Sequence, residues 1–171
     1  MDGHSTIRPA KRQDLAAVDA LLSRSYPALL KADYPPSVLV TAIPLISRAN
    51  PSLVMSGTYF VIEAGDEILG AGGWTSGAPP GGRPQRKVGH IRHVVTDHRQ
   101  TRRGIGSRLM AHIVSDAVSA GIKQLECFST LTAEPFYVAC GFRTLGPMSV
   151  TLRQGIDFPA VHMRRFLERV G

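Results

Sequence analysis

Several residue types are scarce in this 171-residue chain, and each scarcity removes a class of protein. The only two cysteines, Cys127 and Cys140, fit neither a disulfide framework nor the spacing of zinc ligands, so we expect reduced thiols in the core. No run approaches the roughly eighteen apolar residues that a membrane span needs. The start MDGHSTIRPAKRQD also lacks the apolar centre of a signal peptide. We therefore expect a cytoplasmic protein that has no membrane partner.

Acidic residues are outnumbered by basic ones, 13 against 20, which gives a formal net charge of +7. Eight of the Arg and Lys residues fall between Arg83 and Arg108. A basic cluster can mark a nucleic-acid surface, but the sequence has no aromatic-rich stacking motif, zinc-finger spacing or basic leucine-zipper run. A localised anion site explains the charge better, and a basic nucleic-acid-binding module remains the less favoured alternative.

The length predicts one domain over residues 1–171, built from both helices and strands. STIRPA is typical of a strand, RQDLAAVDALLSRSY of a helix, and a second helix is expected between YPPS and SRANPS. The segment TYFVIEAGDEILGAGGW predicts a hairpin that turns at Gly65 and Asp66. The Pro- and Gly-rich SGAPPGGRPQR predicts a loop.

The strand KVGHIRHVVT leads directly into DHRQTRRGIGSRLM, where four arginines surround two glycines at the start of a helical pattern. Gly121 is placed to end that helix, and IKQLECF follows as a strand, an order that implies a right-handed parallel crossover. The first N–H groups of a helix have no intrahelical partner and lie at the positive end of its dipole. Gly104 and Gly106 would let a polyanion approach this backbone closely. The turn is therefore predicted to bind phosphate.

Two common phosphate-binding motifs do not fit this turn. A P-loop requires Gly-Lys-Ser/Thr four residues after a first Gly, and no such run exists. A dinucleotide fingerprint requires a third glycine, but position 109 is Leu. What remains is x-x-Gly-x-Gly after a strand in the middle of the chain.

This pattern resembles the acetyl-coenzyme A motif of the Gcn5-related N-acetyltransferases, the GNAT superfamily. TRRGIG at 101–106 matches Gln/Arg-x-x-Gly-x-Gly/Ala except at Thr101, and PFYVACGF resembles the Phe-Tyr-x-x-x-Gly-Phe block of the family. The order of elements is similar over nearly the whole chain. The resemblance implies an α/β (α+β) GNAT fold, in which a central mixed, mostly antiparallel sheet with a splayed parallel strand pair is flanked by helices.

The end of the chain predicts a short helix around TAEPFYVAC with Thr132 as its N-cap, followed by the strands GFRTLGPMSVTL and FPAVHMRRFL. The apolar strand AVHMRRFL could pair across a subunit boundary, which would make the protein a homodimer.

The resemblance also implies acetyl-CoA as co-substrate. Backbone groups of the strand before the glycine turn would pair with the pantetheine arm, and N–H groups of the turn would bind the pyrophosphate. Arg99 or Arg108 could reach the 3′-phosphate. The implied cofactor-binding residues are Val94, Val95, Thr96, Arg102, Arg103, Gly104, Ile105, Gly106 and Ser107.

Acetyl transfer to an amine needs a base for the amine and a proton for the leaving thiolate. The resemblance makes Tyr137 the proton donor. His90 lies fourteen residues before Gly104, where relatives carry a catalytic glutamate or histidine, and is the candidate base. Glu63 and Glu126 are alternative carboxylates for that role.

His90, His93 and His98 lie close together in sequence, but strand alternation separates the first two unless a bulge intervenes, so no metal site is predicted. The expected acceptor is a primary amine of a small molecule or peptide. A non-catalytic acyl-CoA-binding sensor is the alternative, and the presence of Tyr137 counts against it.

Overall fold

A computed structural model describes residues 4–77, 84–100 and 104–168. The strands are β1 (Ser5–Pro9), β2 (Tyr59–Ala64), β3 (Glu67–Thr75), β4 (Val88–Thr96), β5 (Gln124–Ser129), β6 (Arg143–Thr151) and β7 (Asp157–Phe166). The α-helices are α1 (Leu15–Leu30), α2 (Pro36–Ile46), α3 (Pro51–Val54), α4 (Ile105–Ser119) and α5 (Glu134–Ala139). Short 3-10 turns cover Arg12–Asp14, His98–Gln100 and Arg153–Gly155. Within this described part, no helix has the length and apolarity to cross a membrane.

The seven strands form one sheet in the order β1-β2-β3-β4-β5-β7-β6. Every neighbouring pair is antiparallel except β4 and β5, which are parallel and are joined through α4. The hairpin between β2 and β3 turns at the predicted Gly65 and Asp66. The expected mixed, mostly antiparallel sheet with one parallel pair is confirmed.

Helices cover both faces of the sheet because apolar side chains alternate along its strands. On β2, Phe60 packs into a cluster with Leu109 and Ile113 of α4, whereas Val61 packs with Leu21 of α1. Neighbouring residues of β2 therefore contact helices on opposite faces of the sheet. The glycine turn, at the start of α4, lies at the edge of the face that α4 covers.

Two sequence expectations are wrong. Thr132 does not cap α5: its hydroxyl has no hydrogen-bond partner, and Thr130 Oγ1 accepts from the Ala133 N–H at 3.2 Å instead. Nor does the strand AVHMRRFL offer an edge to a second subunit, because β7 lies between β5 and β6. The homodimer thus loses its predicted contact. Part of the predicted loop SGAPPGGRPQR, residues 78–83, lies outside the described residues.

Candidate active site

The parallel pair β4 and β5 separates partway along its length. Pairing runs from Val88 with Gln124 to His90 with Glu126 and is not recorded beyond that point. On its other side β4 carries a bulge, because the register with β3 shifts between Ala71 and Gly73. His93 lies in the bulge at a φ of 46°, a conformation rare for a residue with a side chain, and Tyr59 Oη donates to its carbonyl at 2.9 Å. A cleft opens where the two strands diverge.

The cleft has a volume of about 390 Å³ and is lined by β4, β5, α1, the start of α4 and the start of α5. All predicted cofactor-binding residues that the structure describes line it: Val94, Val95, Thr96, Gly104, Ile105, Gly106 and Ser107. Tyr137 lines it as well. Arg102 and Arg103 lie outside the described residues.

The two glycines of the turn are needed for different reasons. Gly104 precedes α4 at a φ of 73°, the left-handed region, and has open space around it. A Cβ on Gly106 would instead lie 2.8 Å from Phe136 Cε1. The first bond of the helix ladder runs from the Arg108 N–H to the Gly104 carbonyl at 3.0 Å, which leaves the preceding N–H groups without intrahelical partners beside the cleft.

The side chain of Asp97 anchors the segment just before the turn. Asp97 is fully buried, and its carboxylate accepts from the backbone N–H and guanidinium of Arg99 and from Arg24. These donors, Arg99 foremost, hold the pKa of the Asp97 carboxyl well below its usual range despite its burial. Arg99 also pairs with Glu67 at 3.0 Å. The backbone entering the turn is therefore held by a charged network.

Both arginines considered for the 3′-phosphate make contacts within the protein. Arg99 is held by the two carboxylates of Asp97 and Glu67. Arg108 donates to the hydroxyl and, at 3.2 Å, to the carbonyl of Ser5 on β1. A 3′-phosphate at either arginine would have to compete with these partners, so this assignment stays a prediction.

Tyr137 is buried at the cleft wall and packs in one core cluster with Cys127, which also lines the cleft. Burial raises the pKa of Tyr137 well above its ordinary value, and burial also raises the pKa of Cys127 to about 12. Both groups therefore keep their protons at neutral pH. Because a thiol is a weak acceptor, Cys127 leaves the tyrosine hydroxyl able to donate to a stronger acceptor.

Thr132 adds a hydroxyl that sequence reasoning had assigned elsewhere. Its Oγ1 is buried, lacks a partner, and belongs to a residue that lines the cleft. A buried hydroxyl without a hydrogen bond is unfavourable, so a polar group of a bound ligand would satisfy it.

His90 lies beside the cleft rather than in its wall. Its ring contacts that of Phe128, which does line the cleft, with centroids 6.1 Å apart. Burial lowers the pKa of His90 despite the opposing charge of Glu126. Of the alternative carboxylates, Glu63 pairs with Arg8 at 2.8 Å next to the sheet edge, whereas Glu126 faces His90 across the parallel pair. The base assignment of His90 remains a prediction.

His93 is the functional candidate that sequence reasoning passed over. It lines the cleft, and burial, with a smaller effect from Arg92, lowers its pKa to about 4. The ring is therefore a neutral imidazole at physiological pH, with one ring nitrogen that can accept a hydrogen bond. Nothing in the sequence reveals the bulge that turns it inward. Among the described residues, no group of three or more His, Cys, Asp or Glu is arranged to hold a metal ion.

A mixed sheet whose parallel pair splays beside a glycine-started helix is the architecture of the GCN5-related acetyltransferases. The model of the acetyltransferase (GNAT) domain matches residues 40–166, and the chain belongs to this family. No curated protein matches the chain in sequence.

Solved structures support the same fold at low identity. The chain is similar to a GCN5-related N-acetyltransferase from Rhodopseudomonas palustris, with a TM-score of 0.76 and 17% identity over 98% of this chain and 99% of that one. The chain is also similar to the PaiA N-acetyltransferase from Thermoplasma acidophilum in complex with coenzyme A, with a TM-score of 0.71 and 13% identity over 95% of this chain and 99% of that one. Similarity to the ribosomal-protein-S18-alanine N-acetyltransferase from Escherichia coli has a TM-score of 0.62 and 15% identity over 98% of this chain and 97% of that one.

Proposed function

We propose that this protein transfers the acetyl group of acetyl-CoA to a primary amine of a small molecule or peptide by direct attack in a ternary complex. One observation carries the proposal: a single cleft is lined by every described residue predicted to bind the cofactor and by the predicted proton donor, Tyr137. Membership of the acetyltransferase family supports the same reading.

The start of α4 and the separated strands supply complementary parts of a coenzyme A site. The unpartnered N–H groups after Gly104 suit a pyrophosphate. Beyond His90, β4 pairs with β3 but no longer with β5, so Val94, Val95 and Thr96 have an open side for an extended arm with amide groups. Thr132 Oγ1 offers one further hydrogen bond in the cleft wall.

In the proposed reaction the amine must first lose a proton, because an ammonium has no lone pair for attack. Its nitrogen then bonds to the thioester carbonyl carbon, and the carbon–sulfur bond breaks as the tetrahedral intermediate collapses. Tyr137 donates its proton to the departing sulfur and recovers one from the nitrogen of the new amide. The raised pKa keeps the phenol protonated at neutral pH, so the proton is present when the thiolate forms.

Two imidazoles are candidates for accepting the first proton. His90 is the sequence-based candidate, and His93 is the one that lines the cleft. Separate His90→Gln and His93→Asn variants should resolve them, because loss of the base lowers kcat/KM for an ammonium substrate while leaving coenzyme A affinity unchanged. Wild-type activity in both variants would assign proton removal to water.

The first test is titration calorimetry with acetyl-CoA, comparing Gly104→Glu with Gly121→Glu. Both glycines have positive φ, and a Cβ added at either would meet no atom of another described residue within 4 Å beyond its chain neighbours, but they lie at opposite ends of α4. The two variants therefore carry similar backbone strain. We expect Gly104→Glu to abolish binding, since its carboxylate would occupy the pyrophosphate position, and Gly121→Glu to bind as the wild type does. Equal affinities would refute the cofactor site.

The second test measures thiol release from acetyl-CoA with a panel of amines. We expect release with at least one amine and a lower kcat in Tyr137→Phe at unchanged cofactor affinity. Binding without release from any amine would favour the acyl-CoA sensor. Salt-sensitive binding of DNA or RNA without cofactor binding would favour the nucleic-acid module.

A further inference from the structure

A polar patch lies on the sheet face next to the cleft. It is formed by His90 and Arg92 of β4, Glu126 of β5, and His162 and Arg164 of β7. The pairings of His90 with Glu126 and of Glu126 with Arg164 place these side chains on one face. Because the ring of Phe128 contacts both histidine rings and also lines the cleft, the patch adjoins the place where an acceptor would meet the thioester.

The carboxylate of this patch is already neutralised. Glu126 accepts hydrogen bonds from Gln124 at 2.7 Å and from Arg164 Nε at 2.8 Å, and His162 Nε2 lies 3.0 Å from its other oxygen. These hydrogen bonds lower the pKa of Glu126 despite its burial. Glu126 therefore has its partners within the protein and leaves no charge for Arg92.

Arg92 is the unsatisfied member of the patch. It is partly buried, and its one hydrogen bond runs from Nη1 to Thr75 Oγ1 at 3.2 Å. Its Nε is buried without a partner, and no carboxylate of the described residues lies within 4.0 Å. Burial lowers the pKa of Arg92, as expected for a cation that has lost water and gained no counter-ion.

Such an arrangement is unfavourable in the free protein and becomes favourable when an anion binds. With Nη1 engaged and Nε buried, Nη2 is the guanidinium nitrogen left for a ligand, and it can donate a charge-assisted hydrogen bond to a carboxylate oxygen. A phosphate dianion would bring a second negative charge close to Glu126, and the patch has no second unpaired cation to neutralise that charge. The patch suits a monoanion.

The strand also brings Arg92 close in the chain to both candidate imidazoles. Arg92 is two residues from His90 on the same face, about 7 Å along the strand, and is followed directly by His93 in the cleft wall. A carboxylate on Arg92 would therefore lie beside the segment of β4 that carries both imidazoles. We propose that Arg92 binds the carboxylate of the acceptor, so that the substrate class is amines that also carry a carboxylate, as free amino acids do.

This inference rests on the proposed function and is tested with matched substrates. Thiol release is measured for L-phenylalanine, its carboxamide and phenethylamine, and for L-alanine, its carboxamide and ethylamine. The proteins are the wild type, Arg92→Gln, Arg92→Lys and the control Arg12→Gln. Arg12 is exposed in the turn after β1, the strand at the opposite edge of the sheet from β6 and β7, so its loss changes the net charge alike but leaves the patch intact.

We expect the wild type to favour each amino acid over its uncharged partners. Arg92→Gln should lose about 10- to 100-fold in kcat/KM for the amino acids and little for the other amines, since one charge-assisted contact is removed. Arg92→Lys should be intermediate, and Arg12→Gln should equal the wild type. Equal wild-type rates on acids and amines, or an equal loss on both in Arg92→Gln, would overturn the proposal.

Two further measurements separate this proposal from its premises. The thermal midpoint of Arg92→Gln should be unchanged or higher, because an uncompensated charge is removed, whereas a purely structural arginine would lower it. If no amine is turned over, calorimetry with coenzyme A and N-acetyl-L-phenylalanine tests the patch directly. Binding that Arg92→Gln abolishes would support it, and no binding by the wild type would overturn it. Failure to bind acetyl-CoA would refute the proposed function separately.

Discussion

The partly buried imidazole of His93 makes the stability of the protein depend on pH in a way that one substitution can isolate. Its pKa is lowered to about 4 in the folded chain, from an ordinary 6.5. Between these values the unfolded chain binds the proton more tightly, so stability falls as the pH is lowered through this range. The effect is absent above the unfolded pKa and complete below the folded one.

The size of the effect follows from the two pKa values. Going from about pH 7.5 to about pH 5, a group with these values lowers the free energy of unfolding by about 2 kcal/mol. His93 is partly exposed, and solvent screens the charge of its imidazolium, so we expect about 1 to 2 kcal/mol. We choose His93→Asn to remove the titrating group, because asparagine tolerates the positive φ of this position better than other residues.

Urea unfolding of both proteins at several pH values measures this difference. The lost packing of the ring lowers the free energy of unfolding of His93→Asn by the same amount at every pH. The titration of His93, in contrast, makes the difference in unfolding free energy between the two proteins depend on pH. We expect the variant to gain on the wild type by about 1 to 2 kcal/mol as the pH falls to about 5. Parallel stability curves would show that His93 titrates normally and that its ring is not desolvated as the structure implies.

Three further predictions concern the site. Gly106→Ala should weaken acetyl-CoA binding by about tenfold, since its Cβ would press on the ring of Phe136 and drive it into the cleft. Calorimetry should show that the affinity recovers when Phe136→Leu is added, and no recovery would contradict the steric cause. Asp97→Asn should lower the free energy of unfolding by about 1 to 2 kcal/mol, because the buried carboxylate loses its charge-assisted hydrogen bonds from Arg99 and Arg24. An unchanged free energy in urea unfolding would mean that the network contributes little. If His90 is the base, kcat/KM should fall on the acid side of its pH profile with an apparent pKa below 6.5, the direction in which burial shifts the pKa of His90. His90→Gln should abolish this acid-side fall, and an unchanged fall in the variant would exclude His90.

The sequence alone predicted much of the proposed cofactor side of the cleft, because the chemistry of an anion-binding turn is carried by local backbone geometry. A strand that turns into a helix through Gly104 and Gly106 presents its N–H groups outward whatever surrounds it. The hairpin at Gly65, the end of α4 before Gly121 and the parallel crossover follow from equally local patterns. The aromatic block that contains Tyr137 was instead found by its resemblance to a block of the GNAT family.

Features that depend on contacts between distant segments could not be read in the same way. The bulge that turns His93 into the cleft depends on the register of β4 against β3 and on a hydrogen bond from Tyr59. Thr130 rather than Thr132 closes the turn before α5, because the capping hydroxyl is decided by how the loop leaves β5. That β7 has neighbours on both sides follows from the order of strands, which no local pattern encodes.

The sequence by itself therefore determined the family, the sheet and helix elements, and the backbone turn that suits a pyrophosphate, since each is set by residues near one another in the chain. Only the tertiary structure decided which charges are already matched. Arg99 and Glu126 have partners from other strands, whereas Arg92 has no counter-ion within the described residues. Counter-ion pairing depends on distances between side chains that folding alone brings together.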